Sequence, residues 1–163
     1  MESEYPYQKD RTEAFLTVPL TIKDIESMKD ALDKFCSEEY FIDDNKLHIE
    51  EHDRKIGVSK KSLFQKLPPT LIFNLKRFEY NTTTWQRYKL NSYFDFPEEI
   101  DLKPWCVEDS DPESDPKKYK YKLKGVLVHS GTAEAGHYYS YIKKGEKWTE
   151  FNDTTVRNFE PSE

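Results

Sequence analysis

The chain has 163 residues, 36% hydrophobic and 34% charged, with 25 basic against 31 acidic side chains for a net charge of −6. Eleven Tyr, ten Phe and three Trp supply the large apolar bodies that disordered chains lack, and the acidic balance argues against a nucleic-acid binder, whose footprint is a basic stripe. No apolar run approaches the roughly 18 to 20 residues of a membrane span, and MESEYPYQKDRTE is too charged for a secretory signal. Cys36 and Cys106 do not form the disulfide framework of a small secreted domain. The expectation is a soluble protein of a reducing cytosolic or nuclear compartment, with no membrane or nucleic-acid partner.

In chain order, residues 13–22, EAFLTVPLTI, read as a strand broken or kept to an edge by Pro19. Ser27 then caps a helix with Asp30 at its third position, and Met28, Ala31, Leu32, Phe35 and Cys36 form one buried face, the helix ending near Tyr40. Charge dominates residues 43–61, which predicts a solvated hairpin or projecting loop. In residues 64–80 two prolines stop any helix, and Leu71, Ile72, Phe73, Leu75 and Phe78 predict a central strand, the main strand of the core. Residues 81–97 suggest a further strand or hairpin. VEDSDPESDPKK, residues 107–118, has no apolar anchor and reads as a mobile insertion. Short strand-like runs at the C-terminal end then have the spacing of an antiparallel meander.

His137 directly follows a small-residue loop bounded by Gly131 and Gly136, at the mouth of a strand, and WTEFND places Asn152 or Asp153 at the end of another. Paired strands would bring an imidazole to a polar group that fixes its tautomer, two thirds of a Cys-His-Asn/Asp arrangement. A histidine beside an aromatic strand also serves as a satisfied structural residue, and spacing leaves both readings open. The sequence also spells H-x-x-E-H from His48 to His52, the inverted zinc-peptidase pattern. Its flanking charges leave no buried helix face and no third ligand is evident, so a solvated fingertip is the expectation and no metal or other cofactor is invoked.

LPPTLIFNLKRFEY, then YKLNSYFDFP, YKLKGVLVHSGTAEAGHYYSYIK and KWTEFNDTTV, closely resemble in order the C-terminal half of the catalytic domain of the ubiquitin-specific proteases. YPYQKDRTEAF and FDFPEEIDLKPW resemble the fat-facets branch in particular. The resemblance implies an α+β, papain-like cysteine protease fold, here the antiparallel β palm and part of the fingers with a short helix. The fingers would span about residues 1–66 and the palm 67–163. It further implies a thiol-dependent deubiquitinase cleaving after the C-terminal glycine of ubiquitin, with ubiquitin and its conjugates as partners.

By position, His137 resembles the general base, Asn152 the residue that orients it, and Asp153 a helper. Arg77, Phe78, His129, Ser130, Gly131, Gly136 and Tyr138 would line the channel for the ubiquitin tail. The family's nucleophile lies in a box resembling GNTCYMNS, which has no counterpart here, so the chain reads as a fragment or truncated product of marginal stability. Cys36 on its helix face and Cys106 beside an acidic loop are expected to be structural. The family often carries two C-x-x-C pairs in the fingers. Here Ile49 and His52 stand where one pair would be, so the fingers should rest on strand pairing rather than zinc. The acidic run from Glu108 to Asp115 is a solvated insertion, or alternatively a dock for basic parts of ubiquitin. The rival overall reading is a catalytically inactive ubiquitin-binding scaffold that lacks the nucleophile.

Overall fold

A computed structural model describes residues 8–50, 53–108 and 115–161. Strand β1, Val18–Thr21, lies parallel to β6, Phe73–Lys76, with Leu20 opposite Leu75. This two-stranded pair leaves Pro19 on an edge, where its missing N–H costs no ladder bond. Helix α1, Met28–Phe35, packs beside β1. Ser27 accepts the Asp30 N–H at 3.1 Å and donates its hydroxyl to the Asp30 carboxylate at 2.6 Å, which closes the first turn from both sides. The helix stops one turn earlier than its sequence suggests. The Cys36 N–H returns to the Leu32 carbonyl, and Glu39–Phe41 becomes strand β2 instead, because its residues find strand partners further along the chain, Tyr40 opposite Ser59 and Phe41 opposite Val58.

That partner is β5, Val58–Lys60, antiparallel to β2, and between them β3, Leu47–Ile49, pairs with β4, Arg54–Ile56. The charged segment is thus a two-tier hairpin held by strand pairing, as its composition and turn residues anticipate. Glu51 and His52 lie outside the described residues, and with them the H-x-x-E-H pattern. The His48 ring stands 3.5 Å from the Asp53 carboxylate.

The apolar run from residue 71 does not form one central strand. It divides at Arg77 into β6 and β7, Phe78–Asn81, and the two take different partners: β6 joins β1, while β7 turns back as a hairpin onto β8, Gln86–Lys89. The physical cause is local. The Arg77 N–H bonds the Leu75 carbonyl two residues back, a tight turn that redirects the chain, and its guanidinium is committed to the carbonyls of Leu90 and Ser92. Residues 93–98 form no strand; Phe94 is buried, and Asp95 exchanges backbone bonds with Glu26 and Met28 at the helix start.

The main core brings Val18, Leu20 and Ile22 together with Ala31, Leu32 and Cys36 of the helix region, and with Phe64, Phe94, Leu102 and Trp105. It therefore draws on residues from both sides of position 66. Trp105 ties the layers by donating its indole N–H to Asp33 at 2.9 Å; Lys29 and this indole hold the Asp33 carboxyl below the usual carboxylate range. Beyond it, β9, Glu99–Asp101, pairs with β10, Lys120–Lys122. Of the acidic segment, residues 109–114 fall outside the described residues, and Asp115 caps a short turn over Pro116–Tyr119 by accepting the Lys117 N–H at 2.9 Å. No helix among the described residues is long and apolar enough to cross a membrane.

The largest sheet is the expected meander: β11, Gly125–Gly131; β12, Gly136–Lys144; β13, Lys147–Asn152; and β14, Thr155–Phe159, in that spatial order and antiparallel throughout. A test of the core follows from its most enclosed helix residue. Leu32 is 0% exposed whereas Leu16 is 92% exposed. Leu32→Ala should cost about 2 to 5 kcal/mol of stability, and Leu16→Ala less than about 0.5 kcal/mol, read as the difference between their urea unfolding midpoints.

Candidate active site

The site sits at one end of the meander. Antiparallel register pairs Ser140 with Phe151, and Gly131 with Gly136 across the turn at residues 132–135. His137 lies near the start of β12 and Asn152 at the end of β13, so strands separated by a tight turn bring together side chains fifteen positions apart. The imidazole Nε2 stands 2.6 Å from Asn152 Oδ1. A carbonyl oxygen only accepts, so with this amide orientation the neutral ring holds its proton on Nε2 and leaves the Nδ1 lone pair free. The His137 side chain is 46% exposed, open to a reacting partner. Asp153 follows in a left-handed turn conformation, φ +49°, and places its carboxylate 3.8 Å from the same Nε2. The three residues singled out in the sequence, His137, Asn152 and Asp153, are therefore adjacent in space.

Alternation along β12 directs His137, Tyr139 and Tyr141 to one face, and a ladder of rings continues from His137 over Tyr139 to Tyr141 and then to Phe159 at 4.1 Å. Ser130 is the register partner of His137 and shares that face. The neighbouring pair, His129 and Tyr138, belongs to the opposite face, with ring centroids 4.6 Å apart and Phe78 set edge-on to His129 at 5.1 Å. Six of the seven residues expected along a tail channel thus gather at this strand end, from the two sides of the sheet. Arg77 is the exception in its side chain, which turns toward Leu90 and Ser92.

Both glycines have steric reasons. Gly131 adopts φ +115°, and a Cβ there would come within 2.5 Å of the Ala135 carbonyl oxygen. A Cβ on Gly136 would stand 2.1 Å from His129 Nε2 and 2.4 Å from the Ser130 oxygen, so the imidazole packs directly on bare backbone. Sequence reasoning missed a second tie to this turn: Lys89 donates its ammonium to the carbonyls of His129 at 2.7 Å and Gly131 at 3.4 Å. A lysine closing the β8 strand carried no signal in the sequence, since its acceptors are backbone atoms forty positions away or more.

Neither cysteine belongs to this site. Cys36 is buried in the main core and Cys106 packs against it, whereas that core contains no residue of the meander. Burial, with Cys106 beside it, pushes the Cys36 thiol up to about 11, and burial followed by Asp101 pushes Cys106 up as well. Among the described residues no group of three or more His, Cys, Asp or Glu side chains is arranged to hold a metal ion.

The family model of ubiquitin carboxyl-terminal hydrolase matches residues 4–163. The chain belongs to this family. It is 35% identical to mouse ubiquitin carboxyl-terminal hydrolase 9X, covering 93% of the chain and 7% of that protein. It is also 34% identical to hydrolase 15 of Saccharomyces cerevisiae, covering 92% of the chain and 13% of that protein. Such near-equal identities, with 32% to human hydrolase 34, single out no branch. Among solved structures, a Ubp8 variant in the SAGA DUB module, with Sgf11, Sus1 and Sgf73 and bound to monoubiquitin, superposes with a TM-score of 0.73 at 32% identity, covering 89% of this chain and 31% of that one. The fold is thus the α+β ubiquitin-specific protease fold. The chain spans 13% or less of the length of these curated relatives and under a third of that solved chain.

Two outcomes test this geometry. At pH 7.5 Cys36 should carry at least about 100-fold less thiolate than an ordinary thiol, and mass spectrometry should find it unalkylated by iodoacetamide until the chain is unfolded in urea. Gly136→Ala should destabilise the fold by about 1 to 3 kcal/mol, a typical cost of forcing a methyl into filled space, measured by denaturant unfolding.

Proposed function

We propose that this chain supplies the general base and its orienting residue to a thiol-dependent deubiquitinase that hydrolyses the bond after the C-terminal glycine of ubiquitin. The observation that carries this reading is the 2.6 Å contact between His137 Nε2 and Asn152 Oδ1, which leaves Nδ1 as the basic nitrogen. Membership of the hydrolase family and the likeness to a module bound to monoubiquitin support it.

In this reading Nδ1 of His137 takes the proton of a cysteine other than Cys36 and Cys106. The thiolate attacks the glycine carbonyl carbon, and the tetrahedral adduct collapses to a thioester as the imidazolium returns its proton to the departing lysine amine. Water then attacks the thioester with His137 again accepting the proton, which releases the ubiquitin carboxylate and regenerates the thiol. Asn152 keeps the ring in the productive tautomer, with the Asp153 carboxylate 3.8 Å from the same nitrogen. Gly131 and Gly136, with Phe78, His129, Ser130 and Tyr138, would border a channel too narrow for side chains larger than those of a diglycine tail, with Arg77 supporting its wall from behind. Residues 67–163 would then act as palm and residues 1–66 as fingers, in a cytosolic or nuclear setting.

The test is His137→Ala in the full-length protein with a fluorogenic ubiquitin C-terminal reporter. Loss of a positioned base should lower kcat/KM by about 10²- to 10⁴-fold, while ubiquitin affinity by titration stays within about threefold. Affinity lost as severely as turnover would assign His137 a structural role. A wild-type protein that binds ubiquitin without turnover would favour the scaffold reading.

A further inference from the structure

Glu150 is the one fully buried charged residue among the described residues, with 3% of its surface exposed. It occupies the middle of β13 on the face that carries the site, two residues before Asn152. Its register partner on β12 is Tyr141 and on β14 is Arg157. The Arg157 guanidinium grips it with a fork, Nε to one carboxylate oxygen at 2.9 Å and Nη2 to the other at 3.2 Å. A charge covered in this way needs such a partner, yet an ion pair alone would be equally well placed anywhere on the sheet. Its position beside Asn152 is informative.

An asparagine amide has two chemically different ends and can be reversed with almost no change of shape. If Nδ2 faced His137, the amide would donate to the ring, Nε2 would become the acceptor and Nδ1 would hold the proton, which moves the basic lone pair from Nδ1 to the nitrogen engaged by the amide. Something must select the orientation. A carboxylate accepts and never donates, so Glu150 on the same face attracts the Nδ2 end of Asn152 and leaves Oδ1 for the histidine. Arg157, and then Asn152, hold the Glu150 carboxyl below the usual carboxylate range against the effect of burial, so the acceptor is an anion at neutral pH.

We propose that Glu150, clamped by Arg157, is a positioning residue that orients the Asn152 amide and thereby sets the tautomer of His137. The relay runs across three strands, from Arg157 on β14 through Glu150 and Asn152 on β13 to His137 on β12. It rests on reading His137 as the base, but its readout is a proton position and requires no turnover.

The experiment uses the 163-residue chain labelled with nitrogen-15 on histidine. Long-range proton–nitrogen correlations, recorded where the spectrum itself shows the neutral ring, report which nitrogen of His137 is protonated, assigned by comparison with His137→Gln. The wild-type ring should carry its proton on Nε2. In Glu150→Gln, whose side chain offers an NH₂ as well as an oxygen, the ratio of Nε2–H to Nδ1–H should fall about five-fold, the weight of one ordinary net hydrogen bond. Arg157→Met should move it the same way by less, and Arg157→Lys should restore it in part. A wild-type Nδ1–H tautomer overturns the proposal, as does an unchanged ratio in Glu150→Gln with native amide dispersion. Should Glu150→Gln not fold, Arg157→Met decides, since its side chain is 68% exposed and an unchanged ratio there is equally fatal. The expected tautomer pattern in a protein that proves inactive would count against the catalytic reading and leave this relay standing.

Discussion

The register of β12 against β13 decides what stands beside His137. Pairing Ser140 with Phe151 puts Tyr141 opposite Glu150 and leaves the ends of the two strands offset, so that Asn152 reaches His137 from one strand over. A slip of one residue would send every side chain of β13 to the other face. Glu150 would then meet solvent and Asn152 would point away from the imidazole. The aromatic row on β12 and the buried Trp148 on β13 make such a slip unfavourable, because on the covered face Tyr141, Trp148 and Phe159 pack beside the Glu150–Arg157 pair.

Two cations extend this ordering beyond the sheet. Arg77 ends one strand and begins another while its guanidinium fastens the segment at Leu90 and Ser92. Lys89, opposite Phe78 at the open end of the resulting hairpin, fastens the carbonyls of His129 and Gly131. The open end of the β7–β8 hairpin is thus tied to the turn that precedes His137. Phe78 leaves that hairpin to meet the His129 ring, so the apolar contact and the charge-assisted bonds act on the same short stretch of backbone.

Much of this was legible in the residues. The Ser27 cap, the buried face of the helix and the four-stranded meander are local patterns, and His137 with Asn152 followed once two strands were set antiparallel. Less legible were features decided by partners distant in sequence. The early end of the helix depends on β5 pairing with residues 39–41. The break at Arg77 lies inside a run whose hydrophobicity is continuous, and the parallel match of β1 with β6 joins segments more than fifty positions apart. Glu150 reads as ordinary outward polarity in an alternating strand. Only the strand on its other side, which supplies an arginine at the facing position, reveals that this polar row is covered.

The third member of the site is an amide, and that choice has a consequence for how the sequence can change. An aspartate at position 152 would present two equivalent oxygens and need no orienting neighbour, but here it would stand beside the Glu150 carboxylate on the same face, with one guanidinium for two negative charges. Positions 150, 152 and 157 are therefore epistatic. Asn152→Asp is unfavourable in the present background and becomes acceptable once residue 150 is neutral or basic, so the order in which substitutions arise decides which of them the fold can accept.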